Sequence, residues 1–191
     1  MMNNLEEFFD PKYIYAIEKN KPIEIKEEKK GGEGVCTFKS AEDALVIKTI
    51  DNTPPIWALS NKKCAEGAFI TKTTGNDSYD LHILEMKSKL TSTEFKKVID
   101  QFKGMYLTAI SMMAVKQIPY PKNIYLYIAY TNNAIDAPEK TNLITNKVLT
   151  GGAPNIARQV WNKKSVDLHH GISGTLIKKQ RINGDADFGY V

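Results

Sequence analysis

Glu66, Glu85 and Lys87 are the residues whose types and spacing could do chemistry together. Glu85-Met86-Lys87 closes the apolar run Leu81-His82-Ile83-Leu84. Alternate side chains of an extended strand share a face, so Leu81, Ile83, Glu85 and Lys87 are expected on one side and His82, Leu84 and Met86 on the other. Burying a carboxylate and an ammonium on a strand apolar enough to be central costs several kcal/mol unless they are paired or bind a metal. Upstream, Lys62 to Thr71 reads as a second short strand carrying Glu66, and the turn formers Thr73 to Asp80 separate the two. An antiparallel hairpin centred on Gly75-Asn76 sets Glu66 directly opposite Glu85, about 5 Å apart at Cβ. Two bare carboxylates so placed repel each other. A divalent cation between them removes the repulsion, and oxygen-only ligation suits Mg²⁺ or Mn²⁺. The bland alternative is an exposed edge strand whose Glu85 and Lys87 form an i, i+2 ion pair worth less than about 1 kcal/mol. Asp80 is a rival first acid, but at the opening of the strand it reads as closing the turn.

An acid, a spacer and then Glu-x-Lys at the end of a hydrophobic strand resembles the PD-(D/E)xK nuclease superfamily. That superfamily includes restriction endonucleases, Holliday-junction resolvases and many bacterial anti-phage effectors. The resemblance covers about residues 40 to 130, where the expected order is strand, strand, strand, helix, strand. It implies a restriction-endonuclease-like α/β core and metal-dependent hydrolysis of phosphodiester bonds, with DNA the preferred substrate and anti-phage defence a candidate role. It assigns Glu66 and Glu85 as the metal ligands and Lys87 as the catalytic lysine. Many members also place Gln and Tyr on the following helix as Q-x-x-x-Y, which assigns Gln101 here. Two features depart from the pattern: Glu66 stands where Asp is usual, and Tyr106 lies one residue too far from Gln101. The reading from another class is a catalytically idle subunit of this fold that serves binding or assembly.

The chemistry accounts for these residue types. Phosphodiester hydrolysis needs charge neutralisation on the phosphate, a deprotonated water and stabilisation of the leaving oxygen; carboxylate-held Mg²⁺ can supply all three. A lysine beside it can orient the water and stabilise developing charge.

Charge and composition set wider limits. The formal net charge is +4, and of the 26 basic residues only Arg158 and Arg181 are arginine. Lysine suits phosphate contact, whereas the arginine fork suits bidentate reading of guanine, so backbone-directed nucleic-acid binding is favoured over sequence reading. A biased genome accounts for the lysines equally well. No run approaches the roughly 20 apolar residues of a membrane span, and the N-terminus lacks the pattern of a signal peptide. Cys36 and Cys64 give neither a disulfide framework nor a metal-site spacing, so a reducing cytoplasm is the expected compartment. A small nuclease cutting both DNA strands needs two active sites, so a homodimer or a larger complex is the expected assembly.

The positioning elements follow from pattern. Asn4 is a candidate cap for an N-terminal helix with Leu5, Phe8, Phe9, Ile14 and Ile17 as its apolar side, and Glu6 or Glu7 on it could add a metal ligand. Lys26 to Gly34 reads as a charged loop and Ala44 to Ile50 as a strand ended by Asp51-Asn52-Thr53-Pro54-Pro55. Thr91-Ser92-Thr93-Glu94 fits a capping box. Beyond it Phe95, Val98, Ile99, Phe102, Tyr106, Ala109, Ile110 and Met113 recur at helical spacing, with Gln101 beside the stripe. Asn123 to Tyr130 is strongly β-prone. A strand–helix–strand unit points to a right-handed crossover in a mixed sheet flanked by helices. These readings give a nuclease-like core over 1–130 and a C-terminal arm over 131–191 that packs on the core or on a partner. The arm holds polar stretches over 131–139 and 149–155, a short helix near 156–161 and a strand near 174–182. His169-His170 reads as a surface pair and His82 as a packed histidine.

Overall fold

Alternation of side chains builds a seven-stranded sheet with two buried faces. The computed structural model describes residues 5–27, 34–49, 60–73, 75, 77–135 and 156–191. Asn4, most of the 26–34 loop, the 51–55 segment and residues 136–155 lie outside the described residues. Strands β4 (Ala44–Lys48), β5 (Gly67–Lys72) and β6 (Tyr79–Thr91) form an antiparallel meander. Helix α1 (Ser92–Val115) carries the chain back, and β7 (Asn123–Ala134) then runs parallel to β6. The order strand, strand, strand, helix, strand is therefore present over the expected span. Thr91 caps α1, its hydroxyl accepting from the Glu94 N–H at 3.2 Å.

One further strand widens one side of this sheet and two widen the other. Strand β1 (Ile14–Ile17) pairs antiparallel with β4; on the far side β9 (Ile172–Gln180) runs parallel to β7, and β8 (Ser165–His169) closes the edge. The spatial order is β1-β4-β5-β6-β7-β9-β8, which places β6 in the middle. Ile14 and Ile17 thus belong to a strand, and residues 5–13 form turns, so the expected N-terminal helix is absent from the described residues. The cause is tertiary: Ile14 finds its partner in Ile47 across the β1–β4 ladder, and Phe9 and Tyr13 pack on the same core without a helical turn.

One face of the large sheet is covered by helices. Leu45, Ile47, Ala68, Ile70, Leu81, Ile83, Leu126 and Ile128 meet the apolar stripe of α1 and the Ala157 and Trp161 side chains of α2 (Ile156–Lys163). The other face is covered by a small sheet instead. There Val46, Phe69, Leu84, Met86 and Tyr127 pack on Ile23 and Ile25 of β2 (Pro22–Lys26) and on Cys36 and Phe38 of β3 (Val35–Lys39). Strand β10 (Ala186–Tyr190) completes that sheet in the order β10-β3-β2. The fold is mixed α/β as expected, but helices flank one face of the sheet and strands the other. The boundary expected at residue 131 falls inside β7, and the residues from 156 onward supply strands to both sheets.

Candidate functional site

The central strand carries a buried ion pair. Glu85 is 0% exposed and Lys87 is 9% exposed, and the Lys87 ammonium donates to Glu85 Oε1. Both follow Leu81 and Ile83 in the two-residue alternation, so they lie on the face that packs against α1. An exposed edge strand is therefore excluded as the setting of this pair. A buried pair of opposite charges has little net effect on stability, but removing one partner strands the other in a low-dielectric interior.

Glu66 arrives from the neighbouring strand. The β5–β6 ladder pairs Gly67 with Leu84 and Ala68 with Ile83. The paired register ends there: Glu66 lies at the bend just before Gly67, and Glu85 follows Leu84. Gly75, at the tip of the turn, has φ of +77°, a conformation that glycine adopts without a Cβ penalty. Strand β5 begins at Gly67, so Lys62 to Glu66 form an irregular strap and not the start of a strand.

That strap is fastened to α1 and β4. Thr49 Oγ1 donates to the carbonyls of Ala65 at 3.0 Å and Glu66 at 3.3 Å. Asn61 Nδ2 donates to the Asp100 carbonyl at 2.8 Å, and Lys63 pairs with the Asp100 carboxylate at 2.8 Å. Gln101 Nε2 donates to the Cys64 carbonyl at 3.3 Å. At Gly104 an added Cβ would stand 1.8 Å from the Lys63 carbonyl oxygen, so only glycine admits the strap there. Gln101 is thus brought to within two residues of Glu66 along the chain, and its side chain holds the backbone that presents the acid.

The remaining candidates are placed elsewhere. Tyr106 turns from Gln101 toward β8: its hydroxyl bonds to that of Tyr120, and its ring stacks on His169 at 6.2 Å. Burial pushes the Tyr106 phenol up. Asp80 accepts from Asn123 Nδ2 at 2.8 Å across the β6–β7 ladder. Glu6 and Glu7 are exposed in the N-terminal turns. His82 faces the small sheet, bonded to Thr71 Oγ1 and Tyr127 Oη at 3.1 Å each and stacked on Phe69. Burial lowers its imidazole to about 3, so it is neutral at physiological pH. Cys36 and Cys64 are free thiols, and burial pushes Cys36 up to about 12.

Sequence reasoning missed the cross-strand neighbours of the acids. Ile128 pairs with Glu85 and Lys178 with Ile128; in the next row Tyr130 pairs with Lys87 and Gln180 with Tyr130. Only the phase of β9 against β7 reveals these rows, and the run Lys178-Lys179-Gln180-Arg181 has no apolar alternation from which to read that phase. Among the described residues no three or more His, Cys, Asp or Glu side chains converge as metal ligands, and no helix is long and apolar enough to cross a membrane. Glu66 and Glu85 are the candidate donors. Their hard oxygen donors fit a cation such as Mg²⁺, which usually keeps several waters and takes one or two carboxylates. Comparison of the chain with family models, with curated proteins and with solved structures returns no match.

Proposed function

We propose that this protein is a metal-dependent nuclease of the PD-(D/E)xK type, with nucleic acid, DNA in preference to RNA, as its substrate. The observation that supports the reading is the register of the central hairpin, in which Glu66 and Glu85 flank the Gly67–Leu84 pair, while Lys87 bonds to Glu85. Glu66 and Glu85 would hold Mg²⁺ or Mn²⁺. When bound, the ion supplies charge neutralisation at the phosphate and eases proton loss from water. Lys87, already aimed at the Glu85 carboxylate, orients the attacking water and stabilises charge on the phosphate oxygens as it develops. Gln101 positions the backbone behind Glu66. A homodimer or larger complex would supply the second site needed to cut both strands.

The test is cleavage of single-stranded DNA, double-stranded DNA and RNA with Mg²⁺ or Mn²⁺ and with a chelator, wild type beside Glu85→Ala and Lys87→Ala. Metal-dependent cleavage lost in both variants is the expected result. Cleavage unchanged in both would sink the site.

A second reading rests on the complete burial of Glu85 and its existing bond to Lys87. In an idle member of this fold that pair is a structural ion pair, and the protein acts by binding. Absence of cleavage on every substrate, with no Mn²⁺ bound, favours it.

A further inference from the structure

The carboxyl ends of three adjacent parallel strands, β6, β7 and β9, project a grid of side chains onto the face that α1 and α2 cover. Glu85, Ile128 and Lys178 form one row; Lys87, Tyr130 and Gln180 form the next. Neighbouring strands stand about 4.8 Å apart, so Lys178 lies roughly 10 Å from Glu85 on the same side. The exposure of the outer row rises from the buried Lys87 through the half-buried Tyr130 to the exposed Gln180, so the grid opens toward β9.

Among the described residues Lys178 is held there by aromatic and carbonyl contact and by no acid. Its ammonium lies 4.1 Å from the centre of the Trp161 ring and donates to the Trp161 carbonyl at 2.8 Å. Tyr130 meets the same ring edge to face at 5.8 Å. Burial, and after it the nearby Lys164 ammonium, lower the Lys178 pKa. The half-buried Lys178 ammonium and Tyr130 ring, backed by the buried Trp161 ring, lie toward β9 from the acid–lysine pair, where an anionic strand would meet positive charge.

We propose that Lys178 is a backbone-phosphate anchor for a nucleic-acid strand lying across the ends of β6, β7 and β9, with the scissile phosphate at Glu85 and Lys87. This rests on the nuclease reading above. The anchor is cationic and bears no base-reading geometry, so its contribution is independent of sequence.

Adjacent lysines provide the control. Lys179 points to the opposite face, where its ammonium donates to the Asp187 carbonyl beside Phe188. A fluorescent oligodeoxynucleotide is titrated in Ca²⁺ at a series of salt concentrations against wild type, Lys178→Met and Lys179→Met. Methionine keeps the apolar stem on Trp161 and removes the charge. For Lys178→Met the slope of log affinity against log salt should fall by about 0.7 to 0.9, the loss of one phosphate contact. Lys179→Met should keep the wild-type slope. In the cleavage assay Lys178→Met should raise KM and leave kcat in place. Equal slopes for Lys178→Met and wild type would overturn the anchor while leaving the nuclease reading intact; wild type that binds no oligonucleotide overturns both. Should Lys178→Met fail to fold, Trp57→Phe leaves Trp161 as the sole tryptophan. Its emission should then shift when the oligonucleotide binds, and an unchanged emission at saturation refutes the anchor.

Discussion

The Glu85–Lys87 pair sits at the buried centre of the large sheet. Both side chains are buried on the α1 face of the central strand, so neither has water to fall back on. Glu85→Ala takes the carboxylate from a buried ammonium and should cost about 3 to 5 kcal/mol; Lys87→Ala takes one partner from a buried carboxylate and should also destabilise. The bond to Lys87 already compensates the Glu85 charge, so Glu85→Ala is not a simple relief of carboxylate repulsion. Replacing both together, Glu85→Gln with Lys87→Met, removes the charges without orphaning either. A double-mutant cycle by urea denaturation should show the double variant less destabilised than the two single changes summed, by more than about 1 kcal/mol. Additive losses would mean that the two charges do not couple. Because Lys87→Ala also weakens the fold, its cleavage assay needs a temperature at which the variant is demonstrably folded.

At the scale of elements, the strap from Asn61 to Glu66 sets the geometry of the acid pair. It contributes no strand of its own, and its place is fixed by Thr49, Gln101, Asp100 and the bare backbone of Gly104. Gly104→Ala would drive a methyl group into the Lys63 carbonyl and displace the strap from the middle of α1. The expected outcome is weaker Mn²⁺ binding by calorimetry together with a lower Tm. Thr49→Val removes only the hydroxyl behind Ala65 and Glu66; it should weaken Mn²⁺ binding with a smaller loss of Tm, and Thr49→Ser should restore it. Wild-type Mn²⁺ affinity in both Gly104→Ala and Thr49→Val would show that the strap does not position the metal ligands. This level of structure divides what the sequence reveals from what it hides. Strand β6, the hairpin register and the capped α1 were legible because apolar alternation, a turn centred on Gly75 and the Thr91–Glu94 box are local signals. The N-terminal strand β1 was not, because Leu5, Phe8 and Phe9 mimic a helical stripe and only pairing with β4 decides against it. Strands β2 and β3 escaped notice as well. Each is five residues long with just two inward side chains, Ile23 and Ile25 or Cys36 and Phe38.

At the scale of the whole molecule, the central strands of the large sheet are covered on both faces, and the residues from 156 onward help to cover them. Strand β9 widens the large sheet and β10 completes the small one, so residues far apart in sequence share one interior. Arg181 ties these returns together: buried, it pairs with Glu27 at 2.9 Å just after β9. His82 lies between the sheets, where its two ring nitrogens are satisfied by Thr71 and Tyr127 hydroxyls that can each donate or accept. A neutral imidazole meets both; a protonated one needs two acceptors and a counter-charge in an apolar layer. The folded His82 titrates at about 3 against an ordinary value of 6.5. As pH falls the unfolded chain therefore takes up this proton first. The stability due to neutral His82 is complete above about pH 6.5 and is lost progressively toward pH 3, by up to about 1.4 kcal/mol per pH unit. Urea denaturation between pH 7.5 and 4.5 (about one and two units either side of that titration) checks it. Wild type should lose more stability across this range than His82→Gln, whose side chain carries no titrating group, even though the variant starts lower. Parallel curves would mean that acid unfolding is governed by other groups and that the layer between the sheets admits the protonated ring.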